Sequence, residues 1–353
     1  TKPALLKAVN NPKKINLSLV HAQQARQVLD MLVGYKISPI LWSKIAKKTN
    51  KGLSAGRCQT PALKIVYENE LEIKKDTATK VYKTTGYFTS KHIPFILQHE
   101  YKLSNEIKKF LEKSITYNHI YNCSDPRTLV KPPPLPFTTC SLQQAASNSL
   151  QYSPAETMKI CQSLYEGGYI TYMRTDSCKY SIDFITSVVS YIKQEYGEQY
   201  IHQNIDNISI GGKKNKNAQE AHEAIRITNL VNVKLDKLDN KEKRMYLFIR
   251  QRTLESCMNS ATYSAITASI TSPDVGNAVY KYTSETPIDL GWQKANASAE
   301  VNNEYSFLKN IKQNSKIQYS KITSIIKLKN SPLHYSEASL VKQLEKKGIG
   351  RPS

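Results

Sequence analysis

Two residues in this 353-residue chain stand out for the chemistry they could do together: Tyr172 and Arg174, within the run YITYMRT from Tyr169 to Thr175. The run is rich in β-branched and aromatic residues, which predicts a short extended piece. A two-residue period then turns Tyr172 and Arg174 to one face and Met173 to the other. A phenol and a guanidinium pointing the same way suit attack on a phosphodiester. The phenol serves as nucleophile, while the guanidinium grips the non-bridging oxygens and stabilises the charge that builds in the transition state. Spacing alone favours a plainer arrangement, an interface ring beside a solvated charge, so the surrounding elements have to decide.

Upstream of the pair, Ser153 and Glu156 form a capping box with Pro154 at the first helical position, and Gly167-Gly168 ends that helix. Near the start of the chain, Asn16 to Gly34 reads as an amphipathic helix. Leu19 or Val20, Ala25, Val28 or Leu29, and Leu32 form its apolar stripe, and Gln23, Arg26, Gln27 and Asp30 its polar face. Ser38-Pro39 caps a second helix through Ile45 that buries Trp42. The small-residue turn from Leu53 to Pro61 leads into a helix reaching about Glu72. Its backbone N–H groups, with Ser54, Arg57 and Gln59 beside them, make either an anion-binding nest or an ordinary capped turn.

From about Thr77 to Tyr101 the chain is strand-like, followed by a helix near 106–114 and an extended piece to about Tyr121. Pro132 to Pro136 forms a stiff connector. A helical region follows, including Ser181 to Tyr196 with Ile182, Ile185, Val188, Val189 and Ile192 on one face. Gly211 to Asn217 is a basic loop. Directly after it, His222 and Arg226 stand one helical turn apart and could share a phosphate, or His222 is a surface residue beside Glu223. Position i+4 from His222 is Arg226, so this is not a zinc-protease helix. Lys241 to Ser260 is a long helix with Met245, Phe248, Leu254 and Cys257 inward and Arg250 and Arg252 outward. Residues 262–329 are strand-rich again, so two β-rich blocks flank a helical one and could form a single domain that the helical block interrupts. A helix from Ser336 to Glu345 precedes the closing GIGRPS.

The 50 Lys and Arg against 29 Asp and Glu give a net charge of +21. Such a field favours a polyanion such as nucleic acid and makes its binding salt-dependent. Abundant Lys, Asn, Ile and Tyr also fit an A·T-rich genome, which would account for part of the charge. Arginine, whose fork binds phosphate bidentately, is scarce; Arg26, Arg57, Arg174, Arg226 and Arg351 fall in the segments just described. The six cysteines show no C-x-x-C and no pairing with His at ligand spacing, which points to a reducing intracellular compartment without structural zinc. No apolar run approaches the ~18 residues of a membrane span, and no signal peptide is recognisable. The chain opens on Thr1 and reads as part of something longer.

Five segments in order, VHAQQARQVLDMLVGY, LSAGRCQTPAL, SLYEGGYITYMRTDS, AHEAIR and EASLVKQLEKKGIGRPS, together resemble the type IA DNA topoisomerases, the bacterial topoisomerase I group in particular. The resemblance implies an α+β multidomain fold, a toroidal core in three parts. Residues 1–75 and 331–353 would form a helical base with a single-strand DNA groove. Residues 76–131 and 263–330 would form a strand-rich arch, and 132–262 a helical domain carrying the catalytic tyrosine. It implies ATP-independent relaxation of negative supercoils through a transient 5′-phosphotyrosyl link made by Tyr172. Arg174 would clamp the phosphate, and His222 would contact the scissile region with Arg226 in support. Arg26, Asp30 and Tyr35 would line the groove upstream of the cut, although Gln27 and Met31 stand where Arg is common. Ser54, Arg57 and Gln59 match the backbone-binding turn, Gln162 a helix residue facing the same strand, and Arg351 the closing element.

The family's Mg²⁺ is held by an acidic Toprim domain, and no D-x-D-x-E cluster occurs in this chain. The expectation is therefore that the ion is bound ahead of Thr1, and that this polypeptide alone binds single-stranded DNA without cleaving or relaxing it efficiently. A monomer acting on DNA in the cytoplasm or nucleoid is implied. A catalytically incomplete DNA-binding remnant is the alternative. A tyrosine recombinase or type IB enzyme would carry its tyrosine late in the chain, after spaced Arg and His residues.

Overall fold

A computed structural model describes residues 6, 9–12, 14–45, 52–75, 78–210, 223–231, 235–273, 276, 278–296, 303–329 and 331–350. These fall into two compact units, one within Thr1–Leu71 and Gln343–Arg351, the other within Glu72–Lys342. The fold is α+β, as the sequence leads one to expect. His222 and Arg351 lie outside the described residues.

In the first unit, helix α1 (Leu17–Lys44) starts at Asn16, whose side-chain oxygen accepts from the amides of Ser18 and Leu19. The expected break at Gly34 and restart at Ser38-Pro39 do not occur. The helix runs through both, 28 residues without interruption. A side chain at Gly34 would meet open space, so no turn requires glycine there. An interior Gly costs only ~1 kcal/mol relative to Ala, and an established helix adds each further residue cooperatively. Trp42, expected inside, is 51% exposed. Its indole N–H donates to Leu53 O at 2.5 Å, which holds the ring against the turn before Gln59 rather than in a core. Helix α2 (Gln59–Lys74) follows.

The second unit contains one eight-stranded antiparallel sheet. Its strands come from both ends of the unit: β1 (Thr79–Tyr87), β2 (Pro94–Tyr101), then after helix α3 (Ser104–Thr116) β3 (Ile120–Cys123) and β4 (Arg127–Lys131). The later segment adds β5 (Ala261–Thr271), β6 (Val279–Asp289), β7 (Ser315–Lys316) and β8 (Lys321–Lys329). The order is β7-β3-β5-β6-β2-β1-β8, with β4 pairing β5. Pairing of β1 with β8 in continuous register, from Thr79 opposite Lys329 to Tyr87 opposite Lys321, joins the two segments. One face of the sheet buries Phe95, Tyr121, Ile266, Ile270 and Tyr280 against Ile107 and Phe110 of α3.

Between the two sets of strands lie helices α4 (Thr139–Leu150), α5 (Pro154–Glu166), α6 (Ile182–Glu195), α7 (Ile205–Ile210) and α8 (Asn240–Ser256). Two short helices, a 3₁₀ turn at Gly291–Ala295 and α9 (Glu304–Lys309), sit among the later strands, and α10 (Glu337–Lys346) closes the described chain. Gly291 has a φ of +50°, and a Cβ there would lie 2.4 Å from Ser260 O, so only glycine fits. It sets Trp292, whose backbone N–H donates to Asn259 O at 2.8 Å and whose indole donates to Lys131 O at 3.1 Å. One residue, through its backbone and its side chain, thereby ties together both connectors between the sheet and the helical block.

Arg250 and Arg252, expected outward, are half-buried because each stacks on an aromatic ring, Tyr191 and Phe137 respectively.

His119, at the head of β3, is buried and donates from Nδ1 to Thr271 O at 2.8 Å. Burial lowers its pKa against the smaller opposing pull of the Thr271 and Ser114 carbonyls. The unfolded chain therefore binds this proton more readily, and the His119 contribution to stability is lost as pH falls through and below ~6.5. Urea unfolding of the wild type should weaken between pH 7 and 5, and His119→Asn should flatten that part of the profile.

Candidate active site

The segment that carries Tyr172 begins where α5 ends. Ser153 caps the helix by accepting from the Glu156 amide at 3.1 Å, but Glu156 does not return the bond. Its carboxylate takes Lys241 Nζ at 2.5 Å instead and ties α5 to α8. At the other end Gly168 adopts φ +74°, Tyr169 N–H reaches Leu164 O at 2.9 Å and Gly168 N–H reaches Tyr165 O at 2.9 Å, a Schellman stop. The chain leaves this stop non-helical, with bends at Tyr169, Thr171 and Met173.

Residues 169–175 do not enter a sheet. They run beside residues 223–228, joined by the bridge Ile170 to Ile227 and by Thr171 N–H to Arg226 O at 2.9 Å. Thr228 N–H returns to Tyr169 O at 3.0 Å, and Ile225 N–H donates to Phe137 O at 2.9 Å on the far side. Residues 223–227 are therefore extended, not the helical turn expected for the AHEAIR segment. The burial of Ala224, Ile225 and Ile227 between two neighbouring chain segments outweighs helix propensity there. In the tyrosine segment the sides alternate only from Tyr172 to Thr175, since Ile170 is buried and Tyr172 exposed. Ile170, Met173 and Thr175 are buried, whereas Tyr172 is 37% exposed and Arg174 is exposed. Tyr172 and Arg174 both reach solvent, and Met173 enters a core with Phe137, Leu142, Leu164, Ile225 and Met245. The Tyr172 ring packs edge-on against Tyr165, centroids 5.2 Å apart.

Arg226 faces the other way. Its side chain is 13% exposed, Nε and Nη2 pair with one Glu223 oxygen at 2.8 and 2.7 Å, and the guanidinium lies 4.1 Å over the Phe184 ring. A guanidinium so engaged holds the 223–228 strand rather than offering a phosphate fork. Gln162, half-buried on α5, donates to Glu166 at 2.7 Å.

The first unit holds the other residues singled out by the sequence. Gln23, Arg26, Gln27, Asp30 and Met31 line an open cleft of about 560 Å³ along α1. Asp30 pairs with Arg57 Nε at 2.7 Å, which brings the turn before α2 to the cleft. Tyr35 is exposed further along α1. The turn itself is fastened to α1 by Ala55 N–H to Ser38 Oγ at 3.1 Å and by the Trp42 indole. Gly56 N–H donates to Thr60 Oγ1 at 3.3 Å. These two amides are satisfied internally, which fits the capped turn, one of the two alternatives the sequence left open; beside them stand Arg57 and the Ser54 and Gln59 pair held at 3.3 Å.

Sequence reasoning passed over Thr139, Thr171 and Glu223, whose bonds hold the tyrosine segment. The signal for Thr139 was present: a Thr-Thr-Cys-Ser run directly after the Pro connector marks a helix start, and Thr138 does form a capping box with Ser141.

A family model described as DNA topoisomerase matches residues 14–353. The chain is 36% identical to DNA topoisomerase 1 of Helicobacter pylori strain 26695 across 100% of its own length and 49% of that protein. It is 34% identical to DNA topoisomerase 1 of Escherichia coli K12, over 100% of this chain and 41% of that one. Among solved structures, full-length topoisomerase I from Thermotoga maritima superimposes with a TM-score of 0.77 at 30% identity, covering 100% of this chain and 57% of the other. The chain spans about half the length of the curated relatives it matches.

Glu223→Ala should leave a mostly buried guanidinium without its carboxylate and cost ~2 kcal/mol, less than a fully buried pair because Glu223 is part-exposed. Glu223→Gln, which keeps a hydrogen-bond acceptor, should cost less; urea denaturation of the two variants checks the order.

Proposed function

This chain belongs to the type IA DNA topoisomerases, and from that premise we propose that it provides the tyrosine side of a reaction that cuts one DNA strand, passes another through the gap and reseals it. The observation that carries the reading is the clamped segment on which Tyr172 and Arg174 are both exposed while Met173 and Thr175 are buried.

In the proposed step the Tyr172 oxygen attacks a phosphorus of single-stranded DNA. An Oη–P bond forms, the P–O3′ bond breaks, and the phenolic proton is given up as the 3′ oxygen gains one. The DNA 5′ end is then held as a phosphotyrosyl diester, which conserves the energy of the broken bond, so the 3′-hydroxyl can reverse the attack without ATP. A phenol with an ordinary pKa of ~10 needs assistance at neutral pH. Arg174 supplies it by holding the non-bridging oxygens and stabilising the charge that develops on them. His222 is assigned to the scissile region. Arg226 acts through the strand it locks.

The strand itself would run along the first unit's cleft. Arg26, Arg57 and the Ser54 and Gln59 pair would contact its backbone, Asp30 would orient Arg57, and Tyr35 would offer a stacking face. Gln162 and Arg351 are assigned to the same strand. Gln27 and Met31, being neutral, weaken the phosphate grip on this stretch relative to Arg at those positions. The proposed division follows: a base from 1–75 and 331–353, an arch from 76–131 and 263–330, and a tyrosine domain from 132–262 that lifts with the cut end as the arch hinges. A monomer acting on underwound DNA is the working unit. No helix among the described residues is long and apolar enough to cross a membrane. The unbroken family match over 14–353 supports an enzyme over a decayed binding remnant.

Mg²⁺ is the ion this family implies. Among the described residues no group of three or more His, Cys, Asp or Glu is arranged to hold a metal, so no step above passes through it.

In the protein that carries this chain, Tyr172→Phe should abolish the covalent DNA adduct while leaving binding of a single-stranded oligonucleotide intact. End-labelling decides the chemistry: the adduct should retain the 5′ phosphate side of the cut, and a 3′ linkage or an adduct persisting in Tyr172→Phe would refute the assignment.

A further inference from the structure

The backbone around Arg174 is held by one side chain. Thr139 is buried at the first turn of α4, and its hydroxyl donates to Met173 O at 2.6 Å and accepts from Thr175 N–H at 2.8 Å. Its own N–H donates to Thr175 O at 2.9 Å. The carbonyl before Arg174 and both backbone polar groups of Thr175 are thus anchored to a single residue 34 to 36 positions upstream, in a helix. On the other flank Thr171 is fixed in the same manner. Its hydroxyl donates to Ala224 O at 2.9 Å and accepts from Arg226 N–H at 3.0 Å, and its N–H donates to Arg226 O at 2.9 Å. Tyr172, Met173 and Arg174 span the interval between these two anchors. On the Thr139 side a hydroxyl does what a neighbouring strand would otherwise do.

A β-ladder partner along 172–174 would fix the backbone by repeated amide bonds. A hydroxyl with one donor and two acceptor sites fixes it at one point, with direction. That point is next to Arg174. The helix carrying Thr139 starts with a full capping box, so the hydroxyl is mounted on a rigid end rather than a loop.

We propose that Thr139 is a positioning residue for the strand-cutting reaction: its side-chain hydroxyl, by bonding Met173 O and Thr175 N–H, sets the direction in which Arg174 meets the scissile phosphate. The inference rests on the proposed roles of Tyr172 and Arg174 and assigns them a support from outside their own segment. Thr139 is buried and acts through the backbone it bonds. Valine has the same shape without the hydroxyl, so Thr139→Val leaves the packing while releasing Met173 O and Thr175 N–H inside the core. A guanidinium displaced by a fraction of an ångström still binds the strand but meets the transition state poorly.

The test follows adduct formation on a labelled single-stranded oligonucleotide with Mg²⁺, in the protein that carries this chain, and reads the maximal rate separately from the half-saturating oligonucleotide concentration. Thr139→Val should slow the maximal rate about ten- to a hundredfold with half-saturation nearly unchanged, and Thr139→Ser, which keeps the hydroxyl, should restore most of the rate. Thr139→Val cutting at the wild-type rate overturns the inference, and so does Thr139→Ser being as slow as Thr139→Val, which would show that only the methyl packing matters. If Thr139→Val does not fold, Thr139→Cys replaces it: a rate well below that of Thr139→Ser supports the role of the hydroxyl, and an equal rate overturns it. Tyr172→Phe runs alongside; an adduct from that variant would remove the reading on which the inference rests, a result distinct from any change at Thr139.

Discussion

Everything near Tyr172 depends on holding a short non-helical segment rigid while two of its side chains stay open. A strand inside a sheet satisfies its backbone by pairing, but pairing on both edges surrounds the side chains with neighbours. The chain here uses threonines instead. Thr171 bonds Ala224 and Arg226, Thr139 bonds Met173 and Thr175, and Thr228 bonds Gly168 O at 2.6 Å. The Thr139 hydroxyl serves a buried carbonyl and amide, where each group left unpaired would cost ~1–3 kcal/mol, the Thr171 hydroxyl serves part-buried groups, and the Thr228 bond lies at the surface. The bonds therefore do two tasks at once, stabilising the core under Met173 and orienting the exposed pair above it.

The arginines divide along the same line. Arg226 rests on Phe184 and pairs with Glu223, Arg250 rests on Tyr191, and Arg252 lies 4.2 Å over Phe137 while reaching Leu135 O. These guanidinia brace one element against another. Arg26, Arg57 and Arg174 are presented at the surface or in a cleft, with Arg57 oriented by a single carboxylate. Net charge cannot separate the two groups, because a guanidinium stacked on an aromatic counts the same in the sum as one facing solvent. The lysines add a general attractive field, and the few presented arginines give it direction.

Local signals were read well where the physics is local. The start of α5 at Ser153-Pro154 and its stop at Gly167-Gly168, the helix from 182 to 195, and the exposure of Tyr172 and Arg174 around a buried Met173 all follow from capping, glycine conformation and residue period. The errors arose where a distant contact intervened. Gly34 and Pro39 read as breaks in α1, yet the helix passes through them while Ser38 and Trp42 engage residues 53–55. The AHEAIR segment reads as helical, yet bridges to Phe137 and Ile170 draw its described part into an extended line. Arg252 reads as a solvated charge because nothing in its own helix shows that Phe137 will lie beneath it.

The sequence by itself determined the family, through five ordered segments, and the pairing of a nucleophilic phenol with a guanidinium two residues on, because both are properties of residue identity and spacing. It also determined the α+β character, through runs whose period is set by backbone geometry. Only the tertiary structure decided which polar groups are available to a ligand. The amides of Ala55 and Gly56 are consumed by Ser38 and Thr60, Arg226 is consumed by Glu223, and Arg174 is left open beside Tyr172. Availability depends on what packs against a group from elsewhere in the chain. For Arg174 that support arrives from Thr139, through two hydrogen bonds that close a loop of more than thirty residues.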